Sequence, residues 1–593
     1  MLNTLRAGGN GCDPNEIALK SFFLGPQAEN ADWINELVQT LFLRWADWRR
    51  SLHPADGRAI SVENLRTKEF IERKEMIESV SLGLLKRFED EVPKFSPRYV
   101  GHMFSDFSLP ALLGHLITLL HNPNNISGES SKIGTQIENE AIQSLLEMVG
   151  YPITHGTGHF TSGGTVANIE AVIRARARCA LWLSNGSLRA SRGHDQIFDP
   201  FPAAHSGWKS YENDPANHEE AKSWNFERMN AHLVYAKIES LTRRPFLGPV
   251  ILVPENKHYS WNKACRILGY SDDALWPIEL DSQGTLSLLS LKQRIEDARR
   301  EGRPILLVVS VVGTTELGSI DPVDKVQTYL DLLREKENLH IWHHVDAAYG
   351  GFLRTIDRES STLMPSSLLA SLTAIQRSTS ITLDPHKLGY VPYASGTFLV
   401  RDRRDYFFST FDHAPYIDFD SNIDRGPYTI EGSRSAAGAV ASWMTANTMG
   451  LHSKGYGLLL ERTIRIRKSL ETKLRHANLS IQFAPGCETN IMCFSCAKRG
   501  ERISESNART LKVYADFSAK KNGEFIVSKT NLKFTSYGEY LRKWVRDWDA
   551  EIDHDELVLV RMCMMNPFFD SVESTVDYSA LFSEKLRESL VGL

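Results

Sequence analysis

A lysine stands where an apolar run gives way to a polar turn, in Ser380-Ile-Thr-Leu-Asp-Pro-His-Lys387-Leu-Gly-Tyr. Beside a desolvated site such a lysine can lose its proton and act as an imine-forming amine, although a single lysine at a strand end is ordinarily a solvated surface group. Upstream, Ile341-Trp-His-His-Val-Asp346-Ala-Ala-Tyr-Gly350 reads as a buried strand that ends on a carboxylate. A buried carboxylate needs a cationic or strongly donating partner; the plainer alternative is an aspartate that caps the next turn. A zinc set of His343, His344 and Asp346 fails because neighbours on a strand point to opposite faces, and no metal is expected. Further upstream, Gly158-His-Phe-Thr-Ser-Gly-Gly-Thr165 runs directly into the helical pattern Val166-Ala-Asn-Ile-Glu-Ala-Val172. Glycines let the backbone approach an anion, Ser162 and Thr165 supply hydroxyls, and a helix N-terminus adds free N–H groups, so a phosphate fits this turn.

Each feature alone is weak, and their order is what makes a set. With His258 in Glu255-Asn-Lys-His-Tyr-Ser260 and the turn Gly313-Thr-Thr315 between them, they provide a receptor for each part of pyridoxal phosphate. The turn from Ser162 to Thr165 takes the phosphate, Lys387 the aldehyde and Asp346 the ring nitrogen, and His258 stacks on the ring face. A carboxylate about 4 Å from a pyridinium, at an effective dielectric of ~20, contributes about 4 kcal/mol. That pairing keeps the ring an electron sink for a developing carbanion.

These residues need strands to carry them. From about 150 to 400, short β-branched runs alternate with amphipathic helices, which predicts a parallel sheet with crossover helices. The strands expected are 249–253, 306–312, 341–345, 380–383 and 397–401, with helices over 288–300 and 323–333. Residues 1–121 read as helical, with Trp33, Leu37, Leu41 and Trp45 at four-residue spacing and further apolar residues among the charges of 71–88. After about 432, helices over 436–449 and 458–474 lead to a strand over 557–562 and a helix over 579–590, a smaller α+β lobe. The stretch 402–432 has few periodic apolar residues but carries Phe411, Pro415, Tyr416, Phe419, Gly426 and Tyr428. Long loops inside compact domains are often functional.

The composition agrees with a folded chain of several units: 593 residues, 42% hydrophobic and 24% charged. Sixty-eight Lys and Arg against 73 Asp and Glu give a net charge of −5, which offers no positive field for a nucleic acid. The longest strongly apolar run, 305–312, is far short of a membrane span, and no signal peptide is expected. Seven scattered cysteines suit a reducing, cytoplasmic location. The pair Cys493 and Cys496 lies on an apolar strand with no second pair to complete a zinc site, so both read as core residues.

The chain resembles the group II pyridoxal-phosphate-dependent amino-acid decarboxylases. The resemblance rests on Thr161-Ser-Gly-Gly-Thr-Val-Ala-Asn168, Lys257-His-Tyr259, His344-Val-Asp-Ala-Ala-Tyr-Gly350 and Asp384-Pro-His-Lys387, in order along most of the chain. Phe22-Phe-Leu-Gly-Pro-Gln-Ala-Glu-Asn-Ala-Asp32, Tyr99-Val-Gly-His-Met103, Asn122-Pro-Asn-Asn125 and Glu431-Gly-Ser-Arg434 look most like the bacterial tyrosine decarboxylase branch. The resemblance implies an α/β, aspartate-aminotransferase-like fold of type I with a mainly parallel seven-stranded sheet. Around it the resemblance sets a helical dimerisation segment (1–121), a large cofactor-binding domain (122–432) and a small α+β domain (433–593). It implies a homodimer with active sites at the interface, and decarboxylation of an L-amino acid, an aromatic one such as tyrosine first. A branched aliphatic substrate (valine or leucine) is the alternative; an acidic one, a transaminase or aldol-type lyase and a catalytically silent binding protein are disfavoured. Carried over by residue, Lys387 holds the cofactor with His386 beside it, and Gly164 and Thr165 bind its phosphate. Thr315 and Ala348 flank the ring, Asp346 holds its nitrogen and His258 stacks above it. His102 stands near the substrate, and Tyr416, or failing it Tyr428, returns a proton to the substrate carbon from a mobile loop.

Overall fold

The computed structural model describes residues 14–193, 198–214, 224–359, 361–408, 424–519 and 523–591. Its centre is a seven-stranded sheet in the order β1-β7-β6-β5-β4-β2-β3. The strands are β1 (Thr157–Thr161), β2 (Val250–Pro254), β3 (Leu275–Ile278), β4 (Ile305–Val311), β5 (His343–Asp346), β6 (Ser380–Leu383) and β7 (Gly396–Val400). From β3 through β6 the pairs are parallel, and only β7 runs against its neighbours. The mainly parallel seven-stranded sheet implied by the resemblance is therefore present. Every residue of β2, β4, β5 and β6 is buried, which is why runs such as Ile305-Leu-Leu-Val-Val-Ser-Val lack the polar alternation of a half-exposed strand. The edge strand β3 was not among the expected strands. It is partly exposed and contains Pro277, which is tolerated at a sheet edge but weakens the sequence signal.

A second, antiparallel sheet holds β8 (Gln482–Phe483), β9 (Ile491–Ser495), β10 (Ser528–Lys533) and β11 (Glu556–Cys563) in the order β10-β11-β9-β8. Phe494, Val560 and Met562 pack with Leu470, Val513 and Phe582 from the helices over it. The six described cysteines are free and buried, Cys493 and Cys496 among them.

The N-terminal part is helical as expected: α1 (Pro14–Lys20), α2 (Ala31–Leu52), α3 (Lys68–Phe88), α4 (Leu109–His121) and α5 (Lys132–Val149). Helix α4 lies so close to the helix Ala437–Thr448 that a Cβ on Gly114 would meet Ala441 Cα at 3.0 Å. Helix α3 buries none of its residues. No described helix is long and apolar enough to cross a membrane.

Candidate active site

The C-terminal ends of β4, β5 and β6 and the turn after β1 open on one cavity of about 290 Å³, where parallel α/β sheets place their sites. Ser162, Gly164, Thr165, His258, Thr315, Asp346, Ala348, His386 and Lys387 all line it. Their separation in sequence exceeds 200 residues, so only the sheet brings them together.

The turn after β1 leads into α6 (Gly164–Ser191), a helix with no side-chain N-cap. Its first N–H groups lack helical acceptors and remain for an anion. The turn must be thin here: a Cβ on Gly164 would meet Asp384 Oδ2 at 2.8 Å, and one on Gly396 of β7 would meet Gly163 Cα at 2.5 Å. Glu431 Oε2 accepts from Ser162 N at 3.1 Å, while Arg434 donates to Glu138 Oε1 at 2.6 Å and Phe160 O at 2.9 Å. The Glu431-to-Arg434 segment thus props the end of β1.

Asp346 ends β5 and is 4% exposed. Its Oδ2 accepts from Asn168 Nδ2 at 2.8 Å and from Trp261 Nε1 at 3.1 Å; its Oδ1 has one longer contact, 3.4 Å to Ala348 N. One oxygen is fixed by neutral donors and the other keeps acceptor capacity at the cavity wall. Asn168 is itself held, since its Oδ1 accepts from Thr382 Oγ1 at 2.8 Å. Behind it His344 is held down at about 3 by burial and is a neutral structural group.

Lys387 lies in the turn after β6, its Nζ 3.0 Å from Asp384 Oδ2. The turn is pinned by Tyr390, whose backbone is left-handed (φ 53°) and whose hydroxyl donates to Met565 O at 2.7 Å. Asp384 is 2% exposed, and its Oδ1 has no hydrogen-bond partner. His386 lies 3.5 Å from Asp384 and accepts from Ser395 N through Nδ1 at 3.2 Å; burial holds its imidazole below the ordinary value. Burial also lowers His258, opposed by Asp346 and helped by Lys387, so this ring is neutral at neutral pH. Thr315 follows the turn at Gly313, where φ is 88° and a Cβ would meet Gly350 N at 2.9 Å.

His102 does not line the cavity; its neighbour Met103 does. His102 Nδ1 accepts from Arg561 Nη2 at 2.9 Å and from Met103 N at 2.9 Å, so the proton sits on Nε2. Burial, then Arg561 and Lys387, hold it down at about 4. Arg561 of β11, buried and with an unpartnered Nε, also donates to Thr315 O at 2.7 Å. It ties the small sheet to the cavity wall. Sequence reasoning placed Asp384 in its motif without giving it a role and missed Arg561 and Trp261; the available signal for Arg561 was one arginine inside the apolar strand Leu557-Val-Leu-Val-Arg561-Met.

Tyr416, with Phe411, Pro415 and Phe419, lies outside the described residues. Tyr428 is 9% exposed, packs its ring 4.9 Å from Phe407, and is not in the cavity wall. The expectation of an unpacked loop over 402–432 is corrected on its described flanks. Asp405 accepts from Arg178 Nη1 and Trp208 Nε1, both at 2.9 Å, and Arg425 donates to Gly158 O at 3.2 Å and to Asn139 Oδ1 at 2.9 Å. Polar side chains, which leave no apolar periodicity, hold one flank to helical residues beside the large sheet and the other to β1 and α5.

The pyridoxal-dependent decarboxylase conserved domain matches residues 221–497. The L-tyrosine decarboxylase of Levilactobacillus brevis is 28% identical over 97% of this chain and 96% of its own, and that of Enterococcus faecalis 26% over 97% of each. The aspartate 1-decarboxylase of Aliivibrio fischeri is 26% identical over 80% of this chain and 76% of its own. Among solved structures, Oryza sativa TDC with PLP and tryptamine superposes with a TM-score of 0.61 at 16% identity over 99% of both chains. Mouse CSAD gives 0.59 at 18% over 84% of both. With the cavity at the strand ends, residues 221–497 match the pyridoxal-dependent decarboxylase conserved domain, and over nearly its full length the chain is similar to named decarboxylases.

Proposed function

We propose that the protein converts an L-amino acid, L-tyrosine foremost, to its amine and carbon dioxide, with pyridoxal phosphate held in the 290 Å³ cavity. The observation that carries this reading is the convergence of Lys387, Asp346, His258 and the Ser162–Thr165 turn on that one cavity. The cofactor fits the donor set. The uncapped first turn of α6 and the hydroxyls of Ser162 and Thr165 would hold its phosphate, and the spare Oδ1 of Asp346 would take a cationic ring N–H. Bound there, pyridoxal phosphate supplies an aldehyde that condenses with amines and a ring that draws in electrons.

The chain's own residues do the rest. Lys387 presents the amine, steadied by Asp384, and Asp346 keeps a proton on the ring nitrogen, itself locked by Asn168 and Trp261. Neutral His258 offers a flat face rather than a competing charge, while Thr315 and Ala348 bound the ring edge. In this reading Tyr416 returns the proton to the reacting carbon. His102 and Arg561 stand behind the wall on the substrate side, joined to each other and to the lining residue Thr315. An aromatic substrate is further supported by the rings that run outward from the lining residue His386: Tyr393 lies 4.2 Å from His386, Phe104 meets Tyr393 edge-on at 6.2 Å, and Tyr99 stacks on Phe104 at 5.7 Å. The test is mass-spectrometric amine detection after incubation of the cofactor-loaded protein with each standard amino acid. Tyramine as the dominant product is expected; a branched or acidic amine at higher kcat/KM moves the substrate, and no amine at all overturns the reading.

The same proposal divides the chain at 121 and 432, makes it a cytoplasmic enzyme and pairs it as a homodimer. Supporting the dimer, Ile77, Val80, Leu84 and Phe88 lie on one face of α3 and are 67%, 66%, 51% and 61% exposed, an apolar patch of the kind that marks an interface. Ile77→Asp with Val80→Asp should give a monomer by light scattering and lower kcat/KM at least about tenfold, as expected if the interface completes the site. A variant that stays dimeric and fully active would remove α3 from the interface.

A further inference from the structure

A second cavity, of about 330 Å³, opens on the edge of the large sheet opposite the candidate active site. It is floored by Ile341 before β5, Thr379 before β6 and Arg401 after β7, whereas Asp346 and Asp384 stand at the other ends of β5 and β6. Six cationic side chains line it against three carboxylates, in a chain whose net charge is −5.

The carboxylates are already committed. Asp402 Oδ2 accepts from Arg404 at 2.7 Å, Asp405 Oδ1 from Arg178 at 2.9 Å, and Asp331 from Arg377 at 2.6 Å and Arg334 at 3.0 Å. Arg401 and Lys209 have no carboxylate partner among the described residues. Asp331 moreover serves two guanidinium groups at once. His340, on the same wall, is held down at about 4 by burial and by the charges of Arg178 and Arg334, so at neutral pH it adds hydrogen bonding without charge. The half-buried indole of Trp208 forms another wall.

We propose that this cavity binds a small phosphorylated anion, with Arg401 and Lys209 as its charge partners. A phosphate monoester carries −1.5 to −2 at neutral pH, which matches two uncompensated cations, and guanidinium forks such as that of Arg401 suit phosphoryl oxygens. The site is separate from the cofactor's, so its ligand does not compete with pyridoxal phosphate.

The test is calorimetric titration of the cofactor-saturated, dialysed protein at low ionic strength with inorganic pyrophosphate, ribose 5-phosphate and adenosine monophosphate. Saturable binding of one anion per chain is expected. Arg401→Gln with Lys209→Gln should weaken it at least about tenfold, a loss consistent with two charge-assisted hydrogen bonds, while amine-forming turnover and the thermal midpoint stay unchanged. Lys209→Gln alone should give an intermediate loss. Tighter binding of adenosine monophosphate than of ribose 5-phosphate assigns a nucleotide, and equal binding assigns the phosphoryl group alone; either supports the site. No saturable binding of any of the three, or equal affinity in the double variant, overturns it.

Discussion

Lys387→Ala should leave a folded, colourless protein whose turnover is down on the order of 10³-fold or more, the scale seen when one member of a catalytic unit is removed. The substitution removes the amine while little packing depends on it, since the side chain is 23% exposed and its one ionic partner among the described residues is Asp384. A stability cost remains. Asp384, 2% exposed and already lacking a partner at Oδ1, is left with His386 at 3.5 Å, and a buried carboxylate stripped of its cation is destabilising. The partial exposure of Lys387 softens that cost. Lys387→Ala with Asp384→Asn should therefore recover the thermal midpoint without recovering turnover. Visible absorbance after dialysis, turnover and thermal melting together check this. Near-native turnover of Lys387→Ala without added amine would remove the lysine from its role, and a lost midpoint that Asp384→Asn does not restore would show that the lysine stem packs more than the fold suggests.

How much of this was legible depended on whether the signal was local. Strand β4 could be found because a strand buried on both faces is a nearly uninterrupted apolar run, and β5 and β6 because their short β-branched stretches give way to a carboxylate, Asp346 or Asp384. The turn at Ser162–Thr165 announced itself by glycines that the packing requires, since Gly164 has Asp384 against it. Arg561 had no such signal. Its partners His102 and Thr315 lie 459 and 246 residues away, and nothing in Leu557-Val-Leu-Val-Arg561 says which wall the side chain reaches. Asn168 was visible within its motif, but not as the donor that orients Asp346, because that contact spans 178 residues. The flanks of 402–432 failed for a different reason. Asp405 and Arg425 are buried through polar pairing, and periodicity counts only apolar residues.

The contact between Asn168 and Asp346 decides what an amide would do at position 346. In Asp346→Asn the oxygen has to face Asn168 Nδ2 and Trp261 Nε1, two donors at 2.8 and 3.1 Å in the native protein, because the reverse orientation would set the new NH₂ against both. The NH₂ then takes the position of Oδ1, at the cavity wall beside Ala348 N. A donor there pairs only with an unprotonated ring nitrogen, so the substitution both removes the charge and selects the wrong protonation state. Loss of an attraction of about 4 kcal/mol converts, at about 1.4 kcal/mol per factor of ten, to roughly a thousandfold in kcat, measured with saturating cofactor. Asp346→Glu keeps the charge at the cost of geometry and should lose less. Asn168→Ala removes one neutral donor, worth about 1 kcal/mol, and should cost about tenfold or less. The ordering Asn168→Ala, then Asp346→Glu, then Asp346→Asn in increasing damage is the expected result. An Asp346→Asn enzyme within tenfold of the native rate would mean that the carboxylate does not hold the ring proton, and that Asn168 and Trp261 brace β5 rather than aim its terminal side chain.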